Sequence, residues 1–236
     1  TIRTRITILS VVLPTLLFGA LFALWARQER AQIDRAVTDK SRAIALAAEG
    51  TRQTMEAAWQ DGVFSAATVR AAAEAGDLDR ALASVPVVAA WRSVMANSQA
   101  GGYRFKVPRF EPRNPANAPD PIEAVALRRL RTEQLPELSV HDPETNAIRY
   151  FRPVRLTETC LVCHGDPARS AALWGNAEGH DPTGSPMEGW QAGEIHGAFE
   201  IIQSLDAADA RYAASLRTMG GVIAAGLILM VLLLNW

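Results

Sequence analysis

The chain has 236 residues, of which 49% are hydrophobic, 21% charged and 7% aromatic, and its formal net charge at pH 7 is -1. Because this near-neutral charge provides no basic field of the kind that binds nucleic acid, we exclude a nucleic-acid partner. The ordinary apolar fraction argues against a largely disordered chain. The mean hydropathy of +0.02 is high for a soluble protein, and the apolar excess lies at the two ends.

The first apolar stretch predicts a membrane-spanning helix. Residues 6–26 are 21 residues without a charge, enough for a helix to cross a hydrocarbon core of about 30 Å. Pro14 interrupts the stretch, which a membrane helix tolerates. A cleavable signal peptide is the alternative, but its apolar core would be only about 7–15 residues long and a small-x-small cleavage site would follow. We therefore predict transmembrane helix 1 over residues 1–26.

A second apolar stretch predicts transmembrane helix 2 over residues 219–236, and a buried core helix is its alternative. Arg3 and Arg5 precede the first span, so the positive-inside rule places the N-terminus in the cytoplasm. Three arginines soon after that span weaken the argument, and the cysteine motif described below decides it. Since no Lys or Arg follows Trp236, we expect the sequence to be part of a receptor that continues into the cytoplasm.

Residues 27–218 are predicted to form the domain between the two spans. A long helix over residues 27–60 comes first, because Ile33, Val37 and Ile44 recur at helical spacing on one face. Asp120 and Glu123 form the signature of a capping box at the start of a later helix. The further elements expected are helices within 66–83 and 87–97, strands over 103–107, 140–142, 147–156 and 195–203, and a final helix capped by Ser204. These elements predict an α+β fold with a small antiparallel sheet flanked by helices.

The two cysteines of the chain lie in the motif Cys160-Leu161-Val162-Cys163-His164. This spacing is typical of c-type haem attachment, in which the two thiols bond to the porphyrin and the adjacent imidazole binds the iron. A redox-active dithiol, a zinc site with further ligands and a disulfide are the alternatives. We interpret Cys160 and Cys163 as the attachment points of one haem c and His164 as the proximal iron ligand. This interpretation places the domain in the periplasm, at the bacterial inner membrane.

Several further motifs accompany the Cys-x-x-Cys-His sequence between residues 101 and 205. They are Gly102-Tyr103-Arg104-Phe105, Pro112-Arg113-Asn114-Pro115, Arg149-Tyr150-Phe151-Arg152-Pro153, Asp181-Pro182-Thr183-Gly184, Glu188-Gly189-Trp190 and His196-Gly197-Ala198-Phe199-Glu200. In these motifs the stretch resembles the haem-binding sensor domain called DUF3365 or Tll0287-like, which occurs in methyl-accepting chemotaxis proteins and sensor kinases. The resemblance implies a PAS-like fold around one covalent haem, in a receptor that is often a homodimer.

The sixth iron ligand is where the chain departs from some relatives, which are similar but use a Cys on the N-terminal helix. The candidates for the distal position are a Met, a His, water or no ligand. Met55, on the apolar face of the long helix, is the leading one, with core packing as its alternative role, and Met95 and Met187 are weaker candidates. For His196 we expect a structural hydrogen bond. Arg104 and Arg152 are the candidate partners of the haem propionates. They belong to a basic group along the strands that consists of Arg104, Lys106, Arg109, Arg113, Arg149, Arg152 and Arg155.

These features predict a haem sensor that works without catalysis. A redox change, or a diatomic gas binding to the iron, would shift the pocket and move the terminal helices, and these helices would carry the signal through the membrane. The alternative is a membrane-anchored monohaem c-type cytochrome that transfers electrons to a redox partner. We expect no enzyme activity, because no acid/base constellation accompanies the motif.

Overall fold

The computed structural model describes the backbone of residues 2–235 and the side chains of residues 8–233. The side chains of Arg3 and Arg5, on which the predicted orientation depends, lie outside the described residues, and so does Trp236. The described chain divides into two compact units. The larger unit comprises Thr38–Pro143 and Ile148–Gln203, and the smaller unit contains the remaining residues.

The helices and strands alternate irregularly along the chain, as expected of an α+β fold. In order they are α1 (Ile2–Gln60), α2 (Ala66–Glu74), α3 (Leu78–Ala83), α4 (Pro86–Met95), α5 (Ser98–Gly101), β1 (Arg104–Lys106), α6 (Pro121–Thr132), β2 (Leu138–Asp142), β3 (Ala147–Arg155), α7 (Leu161–His164), α8 (Ser170–Trp174), β4 (Ile195–Ser204) and α9 (Asp206–Asn235). Two short 3₁₀ turns, Pro115–Asn117 and Pro167–Arg169, lie between them.

The four strands of the described residues form one antiparallel sheet in the order β1-β4-β3-β2. Strand β4 is central, and its register with β1 pairs Lys106 with Glu200. On one face of β4, Phe199 packs in a core cluster with residues of α1 and α4. On the other face, Ala198 packs in a cluster with residues of α6. Helices therefore cover both faces of the central strand, and the predicted α+β fold is confirmed.

Local sequence signals explain where several elements begin and end. Helix α6 begins with the predicted capping box: Asp120 Oδ1 accepts from the Glu123 N–H at 2.8 Å, and Glu123 Oε2 accepts from the Asp120 N–H at 2.7 Å. Gly76, at φ +76°, separates α2 from α3, and Gly102, at φ +63°, ends α5. The stretch 108–119 contains one 3₁₀ turn, which Asn114 caps through its side chain.

The smaller unit contains the two apolar helical segments. Among the described residues, Ile8–Gln60 and Asp206–Leu233 each contain a window long and apolar enough to cross a membrane, and neither window is buried. Pro14 lies inside α1 without ending it. The core helix of a soluble protein would be mostly buried, so the exposure of both windows is consistent with membrane-spanning helices. Within this unit Arg30 pairs with Asp209, and the Tyr212 hydroxyl donates to the Ala26 carbonyl at 2.9 Å.

Candidate functional site

A cavity of about 570 Å³ in the larger unit lies beside the Cys-x-x-Cys-His motif. Its volume is in the range of small-molecule and cofactor sites. The cavity lies beside the strand ends, where β1 and β3 end and β4 begins, since Val107, Val154 and Gly197 line it. Helices α2 to α4 provide an apolar wall that includes Val69, Leu78, Ala81, Leu82, Val85, Val87, Val88 and Trp91. The cavity lining is therefore largely apolar on this side and suits a flat apolar ligand.

The motif forms a single helical turn in the cavity wall. The N–H groups of Cys163 and His164 both donate to the Cys160 carbonyl, at 3.2 and 3.0 Å. This turn places the two cysteines three residues apart on a short helix, and both are half-buried free thiols that line the cavity. Thr157 contacts Cys160 Sγ at 3.4 Å and donates its hydroxyl to Glu56 Oε1 at 2.7 Å. The motif is thereby joined to α1.

The environment of the thiols is unlike that of a catalytic dithiol. Burial, with the nearby Asp181 carboxylate adding to it, raises the pKa of the Cys163 thiol to about 12. Reactive thiols require a lowered pKa, because the thiolate is the nucleophile. The buried Cys163 thiol therefore lacks the activation that redox exchange requires. Among the described residues there is also no group of three or more His, Cys, Asp or Glu that could hold a free metal ion.

His164 is held in a form that can bind a metal. Its Nδ1 lies 2.8 Å from Glu188 Oε2. Burial alone would raise the pKa of Glu188, but hydrogen bonds from His164 and Arg113 lower it to about 2. An ionised carboxylate can only accept hydrogen bonds, so Nδ1 carries the proton. Burial lowers the pKa of His164, and the neutral ring therefore keeps its lone pair on Nε2, as in histidines that bind metals.

The loop that carries Glu188 is hydrogen bonded to the motif through the backbone. The Gly189 N–H donates to the Gly165 carbonyl at 3.0 Å, and the Trp190 N–H donates to the His164 carbonyl at 2.9 Å. The Trp190 ring stacks on the His164 imidazole, with centroids 4.8 Å apart and planes 11° from parallel. The His196 ring also stacks on Trp190, at 3.8 Å. His196 Nε2 lies 2.9 Å from Glu194 Oε2, a structural hydrogen bond of the kind expected.

Arg113 organises this side of the cavity. Its guanidinium donates to Asp181 Oδ2 at 2.6 Å, to both Glu188 oxygens at 2.9 Å, and to the carbonyls of Cys163 and Pro186 at 3.0 Å. One planar side chain thus joins the motif to the later segment that contains Asp181, Pro186 and Glu188. The sequence placed Arg113 in the basic group but gave no signal for this role, since its partners lie 50 to 75 residues away.

Arg109 is the cavity-lining arginine with a donor still free. Its Nε is buried and has no hydrogen-bond partner among the described residues. Its guanidinium lies over the Trp190 ring, 4.6 Å from the centroid, and 3.6 Å from Glu188. Arg52, which also lines the cavity, is instead paired with Glu49 and Glu56. An unpaired buried donor is costly, so Arg109 is the lining cation best suited to an anionic group of a ligand.

Three residues singled out in the sequence do not line the cavity. Arg104 is exposed and Arg152 is half-buried, and the first residues of these two segments to line the cavity are Val107 and Val154. Met55 is half-buried in α1. The residues of α1 that line the cavity are instead Arg52, Glu56 and Trp59. These three lie at spacings of four and three residues on one face, and Met55 lies on the flank of that face.

The fold and the site define an α+β domain in which a Cys-x-x-Cys-His turn forms one wall of an apolar cavity. The Tll0287-like family model matches residues 30–204, and the chain belongs to this family, as its motifs indicated. The chain is also similar to the crystal structure of the cyanobacterial haem protein Tll0287. The sequence identity is 22%, the match covers 48% of this chain and 68% of the Tll0287 chain, and the TM-score is 0.38. No match was found among curated proteins.

Proposed function

We propose that the chain is a membrane-anchored sensor that carries one covalent haem c. The observation that carries this proposal is the placement of Cys160, Cys163 and His164 together in the wall of an apolar cavity of about 570 Å³. When bound there, a haem supplies one-electron redox chemistry and an iron that binds diatomic gases. Membership in the Tll0287-like family supports the proposal.

The donor set fits a c-type haem residue by residue. Cys160 and Cys163 lie one helical turn apart and both line the cavity, an arrangement that suits two thioether bonds to one porphyrin. His164 offers Nε2 as the proximal ligand because Glu188 already holds Nδ1. In place of Arg104 and Arg152, we assign a propionate to Arg109, whose buried Nε lacks a partner among the described residues.

The distal side of the iron is proposed to be open to an exogenous ligand rather than closed by Met55. Among the described residues that line the cavity there is no methionine, and α1 contributes the Arg52–Glu56 ion pair and Trp59. Rapid binding of carbon monoxide to the reduced protein is the expected result. A Met55→Ala protein whose reduced and oxidised spectra differ from those of the wild type would instead restore Met55 as a ligand.

The proposed topology follows the apolar windows. Residues 1–26 and 219–236 would span the bacterial inner membrane, and residues 27–218 would form the sensor domain in the periplasm, in a homodimer. The two exposed windows support the spans. The chemoreceptor role is proposed from the sequence motifs.

Electron transfer by an anchored cytochrome is the second candidate function. The ring stack from His164 through Trp190 to the half-buried His196 favours it, since it connects the proximal histidine to the protein surface. Redox titration against partner cytochromes separates the two functions. A carrier exchanges electrons rapidly with such partners and binds carbon monoxide slowly, whereas a gas sensor shows the reverse.

The deciding experiment is mass spectrometry of the full chain made in a host with a cytochrome c maturation system. We expect the wild type to gain about 616 Da, the mass of one haem, and a Cys160→Ala/Cys163→Ala protein to gain nothing. A Met55→Ala protein is the matched control, since it keeps both thiols and should carry the same added mass. Wild-type protein without the adduct would refute the haem c proposal.

A further inference from the structure

The proximal side of the site is built by two chain segments whose relative position is fixed by their backbones. The carbonyls of His164 and Gly165 accept from the N–H groups of Trp190 and Gly189, at 2.9 and 3.0 Å. Gly189 adopts φ +73°, a conformation that glycine adopts without strain. Glu188 is thereby presented to the His164 ring while Trp190 stacks on it.

Glu188 is shared between the imidazole and a cation. Its Oε2 lies 2.8 Å from His164 Nδ1 and 2.9 Å from Arg113 Nη2, and its Oε1 accepts from Arg113 Nε at 2.9 Å. Arg113 also pairs with Asp181 at 2.6 Å. The histidine partner is therefore a carboxylate whose charge Arg113 partly neutralises. A carboxylate hydrogen bond raises the basicity of a metal-bound imidazole and fixes its tautomer.

We infer that Glu188 is a positioning residue that sets the Fe(III)/Fe(II) balance of the site through its hydrogen bond to His164. This inference rests on the proposed function, in which His164 binds the iron of haem c. A more basic imidazole donates more charge to the metal and stabilises Fe(III), so the wild-type potential is held low. Arg113 limits this effect, because part of the carboxylate charge is directed to the guanidinium.

The test measures the midpoint potential of the full-length holoprotein and three variants. Glu188→Gln keeps the side-chain shape but removes the charge, and Glu188→Asp keeps the charge but shortens the reach to Nδ1. Asp181→Asn is the matched control, since it removes a carboxylate from the same Arg113 without touching His164. We expect Glu188→Gln and Glu188→Asp to shift the Fe(III)/Fe(II) equilibrium about tenfold toward Fe(II), a rise of 59 mV for one electron.

The control separates the hydrogen bond from general electrostatics. Asp181→Asn is expected to shift the equilibrium less than about threefold, because the Asp181 carboxylate is already paired with Arg113 and makes no hydrogen bond to His164. A shift in Asp181→Asn equal to that in Glu188→Gln would overturn the inference, and so would a wild-type potential in Glu188→Asp. If Glu188→Gln does not assemble, Glu188→Asp and Asp181→Asn still decide the question. Failure of the proposed function gives a different result, a wild-type protein without covalent haem.

Discussion

A buried pair of carboxyl groups, Glu123 on α6 and Glu200 on the central strand β4, gives the sharpest stability prediction. Glu123 and Glu200 are both fully buried. Arg149 donates to Glu200 Oε1 at 2.6 Å and to Glu123 Oε1 at 3.0 Å, and Lys106 donates to Glu123 at 2.7 Å. Asp120 and Asp142 face the same Arg149, at 2.8 and 3.8 Å. The two cations are thus surrounded by four carboxyl groups, which favours one bound proton.

That proton is expected on Glu200. Burial, reinforced by the adjacent Glu123, raises the pKa of Glu200 from 4.5 to about 8. Glu200 Oε2 is buried and lacks a hydrogen-bond partner in the part of the chain that the structure describes. A proton on this oxygen can be donated to Glu123, which supplies the missing partner. Protonated Glu200 therefore satisfies both the charge balance and the hydrogen bonding.

The raised pKa makes stability fall with rising pH. Its contribution is fully present below pH 4.5, where folded and unfolded chains both hold the proton, and is lost as the pH rises to about 8. The slope approaches about 1.4 kcal/mol per pH unit. Between pH 6 and pH 8 the wild type should thus lose roughly 2–3 kcal/mol through this group. Glu200→Gln, whose amide does not titrate, should lose none of this contribution.

The assay compares urea unfolding of wild-type and Glu200→Gln protein in detergent, followed by tryptophan fluorescence at pH 6, 7 and 8. The difference between the two free energies of unfolding should change by roughly 2–3 kcal/mol across this range in favour of the variant. Glu133→Gln is the control, because its carboxyl pairs with Arg129 at an exposed site and its pKa is lowered by that hydrogen bond. Parallel curves for the wild type and Glu200→Gln would show that Glu200 does not hold the extra proton.

Two further substitutions test how the site is supported. Asp120→Ala removes the cap of α6 and a partner of Arg149, and thermal unfolding should show a loss of about 1–2 kcal/mol. The exposed Glu133→Ala should leave the stability unchanged. Arg113→Met leaves Asp181 and Glu188 without their shared cation; we expect destabilisation on the order of 3 kcal/mol and less attached haem by mass, with the exposed Arg129→Met unchanged in both. An Arg113→Met protein as stable as wild type would mean that this guanidinium does not hold the loops together.

The fold was largely predictable because its signals are local. The capping box of Asp120 and Glu123, the positive φ of Gly76 and the strand of residues 195–204 each follow from a few neighbouring residues. Predicted and observed strand bounds differ by one or two residues, as in β2, which begins at Leu138 instead of Val140. The Cys-x-x-Cys-His turn was predictable for the same reason.

The other residues of the site were not predictable, because their contacts join distant segments. Arg104 and Arg152 are arginines like Arg109 and Arg113, so charge alone does not distinguish them. The sequence does not show that the cavity lining begins only at Val107 and Val154. Met55 lies within four residues of every cavity-lining residue of α1, so helical periodicity alone could not decide which of them face the cavity.

The Gly-rich stretch 165–193 forms the side of the site that contacts His164. Gly179 has φ +75°, and a Cβ there would lie 3.0 Å from Pro167 Cβ, so a glycine allows the loop to pack against the segment that follows the motif. The same loop then supplies Asp181, Glu188 and Trp190, which reach the motif through Arg113, Nδ1 and the imidazole face. In the proposed haem site, the motif supplies the attachment residues, and this loop holds the His164 ring and carries the charges around it. Substitutions at Glu188 should therefore alter the redox chemistry of the site more than the amount of attached haem.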